Sequence, residues 1–293
     1  MPDAFAFLFP GQGQLPSDVP TLSPELARLY ETVEAQGMRI RDWIAGGDLA
    51  HLSATEVAQP AVLLDSLARC DALRRRGVEA CAVAGHSLGE YAALVAAGVL
   101  SAASALALVT RRGRLMAGVP GGMAALLKLD LETVTHICAA GGGRLVIANH
   151  NGPAQFVVSG PLDALADVEQ RAVECGGRAV RLAVSGPFHS PFMRPAEESL
   201  APFIAETPFA APRIPFVSSV SGRVEADAEA VRRLLATQIT SAVRWTDVVR
   251  TLADLGVTDA IEVGAGNVLT QLGKRTESAI RFYSFEEVFH AGV

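Results

Sequence analysis

Gly85-His86-Ser87-Leu88-Gly89 follows a short apolar run, Ala80-Cys81-Ala82-Val83-Ala84. A strand that ends in Gly-x-Ser-x-Gly and turns at once into a helix is a nucleophile elbow. Gly85 and Gly89 allow the tight turn, and Ser87 stands there with its hydroxyl exposed. The Leu88 amide then lies at a helix N-terminus, facing any oxygen that becomes negative. That pattern predicts covalent acyl chemistry. The motif alone is moderately specific, and the alternative is a glycine-rich turn with an idle serine.

A serine nucleophile needs a base. Six histidines are available: His51, His86, His136, His150, His189 and His290. His86 adjoins the serine, so its side chain is expected to point away from the attacking hydroxyl. His150 lies between Asn149 and Asn151 in an expected turn, and His290 lies near the end of the chain. His189 stands in the loop Val184-Ser185-Gly186-Pro187-Phe188-His189-Ser190-Pro191, which re-enters the main fold after an inserted unit. Clefts form at such junctions, which makes His189 the best of the six. Arg112 lies in an otherwise apolar helix. A buried guanidinium there would hold an acyl group carrying its own carboxylate, by two-point pairing. Its neighbours Arg111 and Arg114 read as a solvated helix end.

The elements that must position these residues alternate. Phe5–Phe9 reads as a buried strand, followed by a tight Pro10-Gly11-Gln12-Gly13 loop. Residues 23–45 are helical in pattern, and 59–76 form another helix that stops at Gly77 after three arginines. The elbow strand and its helix come next. This alternation predicts an α/β fold with a parallel sheet covered on both faces. The apolar stretch from Tyr91 to Val109 approaches membrane-spanning length. Gly98 interrupts it and Ser101 offers an N-cap, so two helices over 88–97 and 102–117 are expected instead. After Pro120-Gly121-Gly122 the elements shorten: strand 123–127, helix 131–139, strands 145–148 and 155–159, helix 161–175, strand 179–184. That order is a split βαβ, or ferredoxin-like, unit. The expected domains are therefore 1–119 with 186–293, and an inserted 120–185. Strands of the larger sheet resume at 215–218 and 259–263.

The chain has 293 residues, half of them hydrophobic, and a net charge of -6. That charge argues against non-specific nucleic-acid binding. Cys70, Cys81, Cys138 and Cys175 show no metal-like spacing and read as reduced, mostly buried thiols of a cytoplasmic protein. The N-terminus shows no secretory pattern. No metal site is expected.

Several motifs, in order along nearly the whole chain, carry a resemblance. Phe9-Pro10-Gly11-Gln12-Gly13, Gln59-Pro60-Ala61, Gly85 to Tyr91, Arg112 to Met116, Asn149 to Gln155, Gly186 to Ser190, Glu262-Val263-Gly264 and Val268-Leu269-Thr270 resemble the malonyl-CoA:acyl-carrier-protein acyltransferases. That family includes acyltransferase domains of fatty-acid and polyketide synthases. The resemblance implies an α/β-hydrolase-like large domain with a ferredoxin-like subdomain. It implies Ser87 as nucleophile and His189 as base, oriented by a carbonyl near Gln238 rather than by a carboxylate. The amides of Gln12 and Leu88 would form the oxyanion hole. Arg112 would clamp the malonyl carboxylate, and Phe188, Met116 and His86 would contact substrate. Phe188 resembles the choice of malonyl-selective members, where its bulk excludes an α-methyl branch.

The implied partners are a CoA thioester and an acyl carrier protein, with no cofactor, no nucleic acid and no membrane, and the protein acting as a monomer. Carrier proteins are acidic, so docking needs a basic surface. Lys274 with Arg275 is the favoured candidate, and the cluster Arg69, Arg74, Arg75 and Arg76 is the other. The sequence departs from the family pattern at Gln14-Leu15-Pro16, at Ala242 and at Ala265, the last two standing where proline is usual. Three alternatives stay open at this point: an editing thioester hydrolase, an acyltransferase subunit of a malonate decarboxylase complex, and a non-catalytic scaffold.

Overall fold

Phe5-Ala6-Phe7-Leu8-Phe9 has no polar side chain to solvate, so it must be covered on both faces. In the computed structural model, which describes residues 5–290, it forms β1 (Phe5–Phe9), buried throughout. The elbow strand is β2 (Ala80–Gly85). Four strands then form a separate sheet: β3 (Gly122–Leu127), β4 (Val146–Gly152), β5 (Gln155–Gly160) and β6 (Arg178–Arg181). The chain then adds β7 (Phe216–Val217), β8 (Val224–Glu225), β9 (Asp259–Glu262) and β10 (Arg281–Ser284).

The first sheet runs β10-β9-β1-β2-β7-β8, with every pair parallel except β7 and β8. Successive side chains of β1 alternate between two cores, as strand geometry requires. Phe5, Phe7 and Phe9 join Leu63, Tyr91 and Val109 on one face. Ala6 and Leu8 join Trp245, Val249 and Phe282 on the other. Two apolar faces are what a central parallel strand needs.

The second sheet runs β4-β5-β3-β6 and is antiparallel throughout. Helices Leu131–Ala140 and Val168–Glu174 follow β3 and β5 and share one core with Leu126 and Phe156. The alternate residues Met123 and Val157 face the other way and pack with Phe188, Met116 and Ile239. The back of this small sheet thus forms a wall beside the histidine loop.

Several boundaries differ from the sequence expectation, each for a physical reason. The helical pattern over 23–45 breaks into Pro24–Glu34 and Ile40–Ala45, because Gly37 turns at φ 90°. The long helix starts at Thr55 rather than 59 and carries Pro60 inside it. β4 runs on to Gly152, so His150 lies in a strand and not in a turn. Its N–H donates to Val243 O at 2.9 Å and its ring stacks on Phe156. The expected helix over 161–175 forms only from Val168 to Glu174. Ser101 does cap the helix Ala102–Ala117, accepting from the Ser104 amide at 3.0 Å. Among the described residues no helix is long and apolar enough to cross a membrane. Cys70 and Cys138 are buried, Cys81 is half-buried, and Cys175 is exposed.

Candidate active site

The elbow is as tight as a backbone allows. A Cβ on Gly85 would lie 2.1 Å from Gly89 C, and one on Gly89 would lie 2.0 Å from Phe9 O. Contacts that short do not occur between real atoms, so only glycine fits at either position. Between them Ser87 is held at φ 52°, a region L-residues enter at a cost of about 1–2 kcal/mol. The helix Gly89–Ala96 starts immediately after.

His189 is the second strained residue, at φ 58°. Its amide donates to Ile239 O at 3.0 Å, which pins the loop. The ring Nε2 lies 2.6 Å from Ser87 Oγ. Nδ1 lies 3.1 Å from Gln238 O and 3.0 Å from Ser241 O. Carbonyl oxygens only accept, so Nδ1 must carry the proton. Nε2 therefore presents its lone pair to the Ser87 hydroxyl. Burial pushes the imidazole down from its ordinary 6.5 to about 3, and the nearby Arg112 charge and His86 add to the shift. Two non-glycine residues in the left-handed region, meeting at one hydrogen bond, are the kind of strain that collects at functional sites.

Arg112 is 1% exposed. Its Nη2 donates to Ser87 Oγ and to Gln238 Oε1, both at 3.2 Å, and its Nη1 donates to Gln59 Oε1 at 2.8 Å. All three partners are uncharged. A buried guanidinium held only by neutral acceptors retains its attraction for a carboxylate. Arg111, by contrast, stacks over Phe203 on the outer side of its helix.

The amides of Leu88 and Gln12 donate to no internal acceptor among the described residues. Gly11 lets the Gln12 loop approach: a Cβ there would lie 3.0 Å from His86 O. The Gln12 side chain is tied to Thr55 Oγ1 at 3.1 Å and accepts from Gln59 at 3.4 Å. His86 turns from Ser87 and donates through Nε2 to Asn151 Oδ1 at 2.9 Å, with its ring edge-on to Trp245. It still lines the same cavity. Met116 packs with Phe188, and its sulfur accepts from Gln59 at 3.5 Å. The methionine thus braces Gln59 from behind; Phe188 is the member of that pair on the cavity wall.

The cavity holds about 480 Å³ and is bounded by Gln12, His86, Ser87, Asn149, Phe188 and His189. A larger groove of about 620 Å³ lies between helices Pro24–Glu34, Ala102–Ala117 and Arg194–Glu206. It contains Arg111 and Arg114 but no nucleophile with its base, so volume alone does not locate the chemistry. Among the described residues no group of three or more His, Cys, Asp or Glu is placed to hold a metal ion.

Lys274 and Arg275 are exposed on the helix Val268–Thr276. Arg275 donates to Gln155 at 3.3 Å, and Gln155 lines the cavity, which puts this pair at the rim. In the other basic cluster one arginine is committed internally and three stay at the surface. Arg69 is buried and pairs with Asp65, Asp18 and Glu286. Arg74 donates to Ala96 O, Arg75 to Thr21 O, and Arg76 covers the Phe289 ring. Arg69 is therefore withdrawn from any docking surface, whereas Arg74, Arg75 and Arg76 remain exposed.

Sequence reasoning did not single out Gln59, Glu90, Asn149, Asn151 or Ser241 for roles of their own. Gln59 did leave a signal. A polar residue inside an Ala- and Leu-rich helix must find a buried partner, and here the partners are Arg112, Gln12 and Met116.

Residues 6–286 match the family model described as acyl transferase domain. The polyketide biosynthesis protein ThaF of Burkholderia thailandensis is 43% identical over 283 residues, covering 91% of this chain but only 24% of that protein. The malonyl CoA-acyl carrier protein transacylase of Salmonella typhimurium is 38% identical over 290 residues, covering 92% of each chain. A crystal structure of an acyl-carrier-protein S-malonyltransferase from Burkholderia pseudomallei superposes with a TM-score of 0.90, at 36% identity, over 98% of this chain and 99% of that one. A malonyl-transacylase solved in complex with a type II polyketide-synthase acyl-carrier protein superposes at 0.86, with 33% identity over 96% and 94% of the two chains. The glycine-locked elbow, the distant histidine that meets it and the match along almost the whole length agree: the chain belongs to the acyl transferase domain family.

Proposed function

We propose that the protein moves a malonyl group from malonyl-CoA to the phosphopantetheine thiol of an acyl carrier protein, through a malonyl ester on Ser87. One observation carries this reading. The oxygen 2.6 Å from His189 Nε2 is also 3.2 Å from a buried guanidinium. The first contact activates a nucleophile. The second places a carboxylate receptor beside the acyl group that the nucleophile would receive. The similarity to S-malonyltransferases across most of both chains supports the same substrate.

The steps balance without a metal or redox cofactor. Ser87 Oγ attacks the thioester carbonyl while Nε2 of His189 takes its proton. The oxyanion sits on the amides of Gln12 and Leu88. Collapse breaks the carbon–sulfur bond, and the imidazolium returns the proton to CoA sulfur. The carrier thiol then gives its proton to His189, attacks the ester, and displaces Ser87 Oγ, which recovers the proton. A hydrolase of the Ser–His–Asp type would orient its imidazole with a carboxylate. Here Nδ1 meets two main-chain carbonyls instead. The complex of a related malonyl-transacylase with its carrier protein supports the partner, and Lys274 with Arg275 is the surface we assign to it. We read the parallel sheet as the α/β-hydrolase-like core, formed by 1–119 and 186–293. We read 120–185 as a ferredoxin-like subdomain, on the strand order β4-β5-β3-β6.

Incubation with malonyl-CoA and a holo carrier protein tests the function: malonyl-carrier should accumulate, and free malonate should not. Arg112→Ala should lower malonyl transfer about ten- to a hundredfold, the loss expected of a hydrogen bond to a charged group, and leave acetyl transfer much less affected. Equal losses on both acyl groups would remove the clamp from the mechanism.

The low pKa of His189 has a visible consequence. The imidazole stays neutral in the free enzyme far below its ordinary 6.5. In steady-state assays of acetyl-CoA, kcat/KM should therefore be flat from about pH 8 to about pH 5. An acid limb centred near 6.5 would contradict the buried neutral base. Stability behaves oppositely. The unfolded chain takes up this proton below about 6.5 and the folded chain does not until about 3, so this residue makes the fold less stable as pH falls between those values.

A further inference from the structure

Glu90 follows the nucleophile by one turn and is 2% exposed. Both of its oxygens are engaged. Oε1 accepts from the Ser218 hydroxyl at 2.8 Å and the Ser219 amide at 3.3 Å. Oε2 accepts from the Ser219 hydroxyl at 2.8 Å and from the Gln238 carboxamide. All four donors are uncharged, an unusual surrounding for a buried carboxylate, which normally meets a cation.

The cation is one residue further away. Gln238 joins the two: its Nε2 donates to Glu90 and to Ser87 O at 3.0 Å, while its Oε1 accepts from Arg112 Nη2 at 3.2 Å. Its own main-chain carbonyl accepts from His189 Nδ1. A carboxamide has two orientations of nearly equal shape, and only its hydrogen-bond partners choose between them. In this orientation each contact joins a donor to an acceptor. Turned over, Oε1 would face a carboxylate and a carbonyl, and Nε2 would face a guanidinium. All three contacts would then repel.

We propose that Glu90 is a positioning residue for malonyl transfer: it locks the Gln238 carboxamide in the one orientation that holds the Arg112 guanidinium beside Ser87 Oγ. This rests on the malonyl reading above. Without the carboxylate, the Gln238 Nε2 keeps only Ser87 O, the carboxamide is held less firmly, and the acceptor it offers Arg112 is no longer fixed in place. His189 is held by main-chain groups, Ile239 O on its amide and the carbonyls of Gln238 and Ser241 on its imidazole, and does not depend on how the carboxamide is turned. The loss therefore falls on the carboxylate-bearing acyl group and spares the uncharged one.

The test compares acyl groups on the full-length protein. Glu90→Gln keeps the shape and removes the charge. It should lower kcat/KM for malonyl-CoA about tenfold, as for one charge-assisted contact, and change that for acetyl-CoA less than about threefold. In a Gln238→Leu background, which already lacks the joint but keeps the main-chain carbonyl, adding Glu90→Gln should leave the malonyl-to-acetyl ratio unchanged. Glu90→Asp keeps the charge but withdraws it from Gln238, and should shift the ratio in the same direction as Glu90→Gln. This second variant serves if Glu90→Gln does not fold. Equal losses on both acyl groups, or additive losses in the double variant, would overturn the role of Glu90 and leave it a fold residue. A wild-type protein that malonyl-CoA does not acylate would overturn the underlying function instead.

Discussion

Ser87→Ala should form no acyl-enzyme and should lower malonyl transfer roughly 10⁶-fold, the scale seen when a serine nucleophile is deleted. The size follows from the geometry. His189 and the two free amides remain in the variant, but no atom is left to carry the acyl group between two thiols. Direct attack by the carrier thiol on malonyl-CoA would need both large substrates in one cavity of about 480 Å³. The variant should fold as the wild type does, because alanine meets the same backbone penalty as serine at φ 52°. Circular dichroism and a melting curve check this. Transfer within about tenfold of wild type would remove Ser87 from the chemistry.

His189→Ala should lower acylation about 10²- to 10⁴-fold, the contribution of a positioned general base. Two features separate this loss from that of Arg112→Ala. It should fall on malonyl-CoA and acetyl-CoA alike, because proton removal from Ser87 does not depend on the acyl group. The residual rate should rise with pH, as hydroxide replaces the imidazole, whereas the wild type is flat over the same range. Stopped-flow measurement of CoA release in the first turnover reads both. A variant with wild-type burst rates would assign the base to another residue.

How much of this was legible in the sequence depends on distance along the chain. β1 and the elbow could be read because their signals are local: five apolar residues in a row, and two glycines flanking a serine. Ser101 capped its helix as its type and place predict. β4 was misread at His150 because the strand bulges there and is held by Val243, far along the chain. The helix expected from 59 begins four residues earlier, at Thr55, and carries Pro60 inside it, a residue most at ease in a helix's first turn. Arg69 read as part of a basic surface. Its partners Asp18 and Glu286 lie 51 and 217 residues away; the one local signal is Asp65, a turn back on the same apolar helix.

The site divides the same way. Residue types nominated Ser87, His189 and Arg112, and the fold brings all three to one oxygen. The resemblance supplied the carbonyl near Gln238, and the structure adds a second carbonyl from Ser241. The bridge from Glu90 through Gln238 to Arg112 left no trace in spacing, because it depends on which way one carboxamide faces. The alanine at 265 has a consequence of its own. Its amide donates to Asp65 at 2.9 Å, inside the network that buries Arg69, and a proline there would have no proton to give.

Intact-protein mass spectrometry on the wild type, followed by peptide mapping, examines the shared step directly. Exposed to malonyl-CoA alone, the protein should gain one malonyl group, carried on the peptide that contains Ser87, and should keep it until a holo carrier protein is added. The group should then pass to the carrier thiol. A label on any other residue, or release of malonate to water as fast without carrier as with it, would contradict transfer through a Ser87 ester.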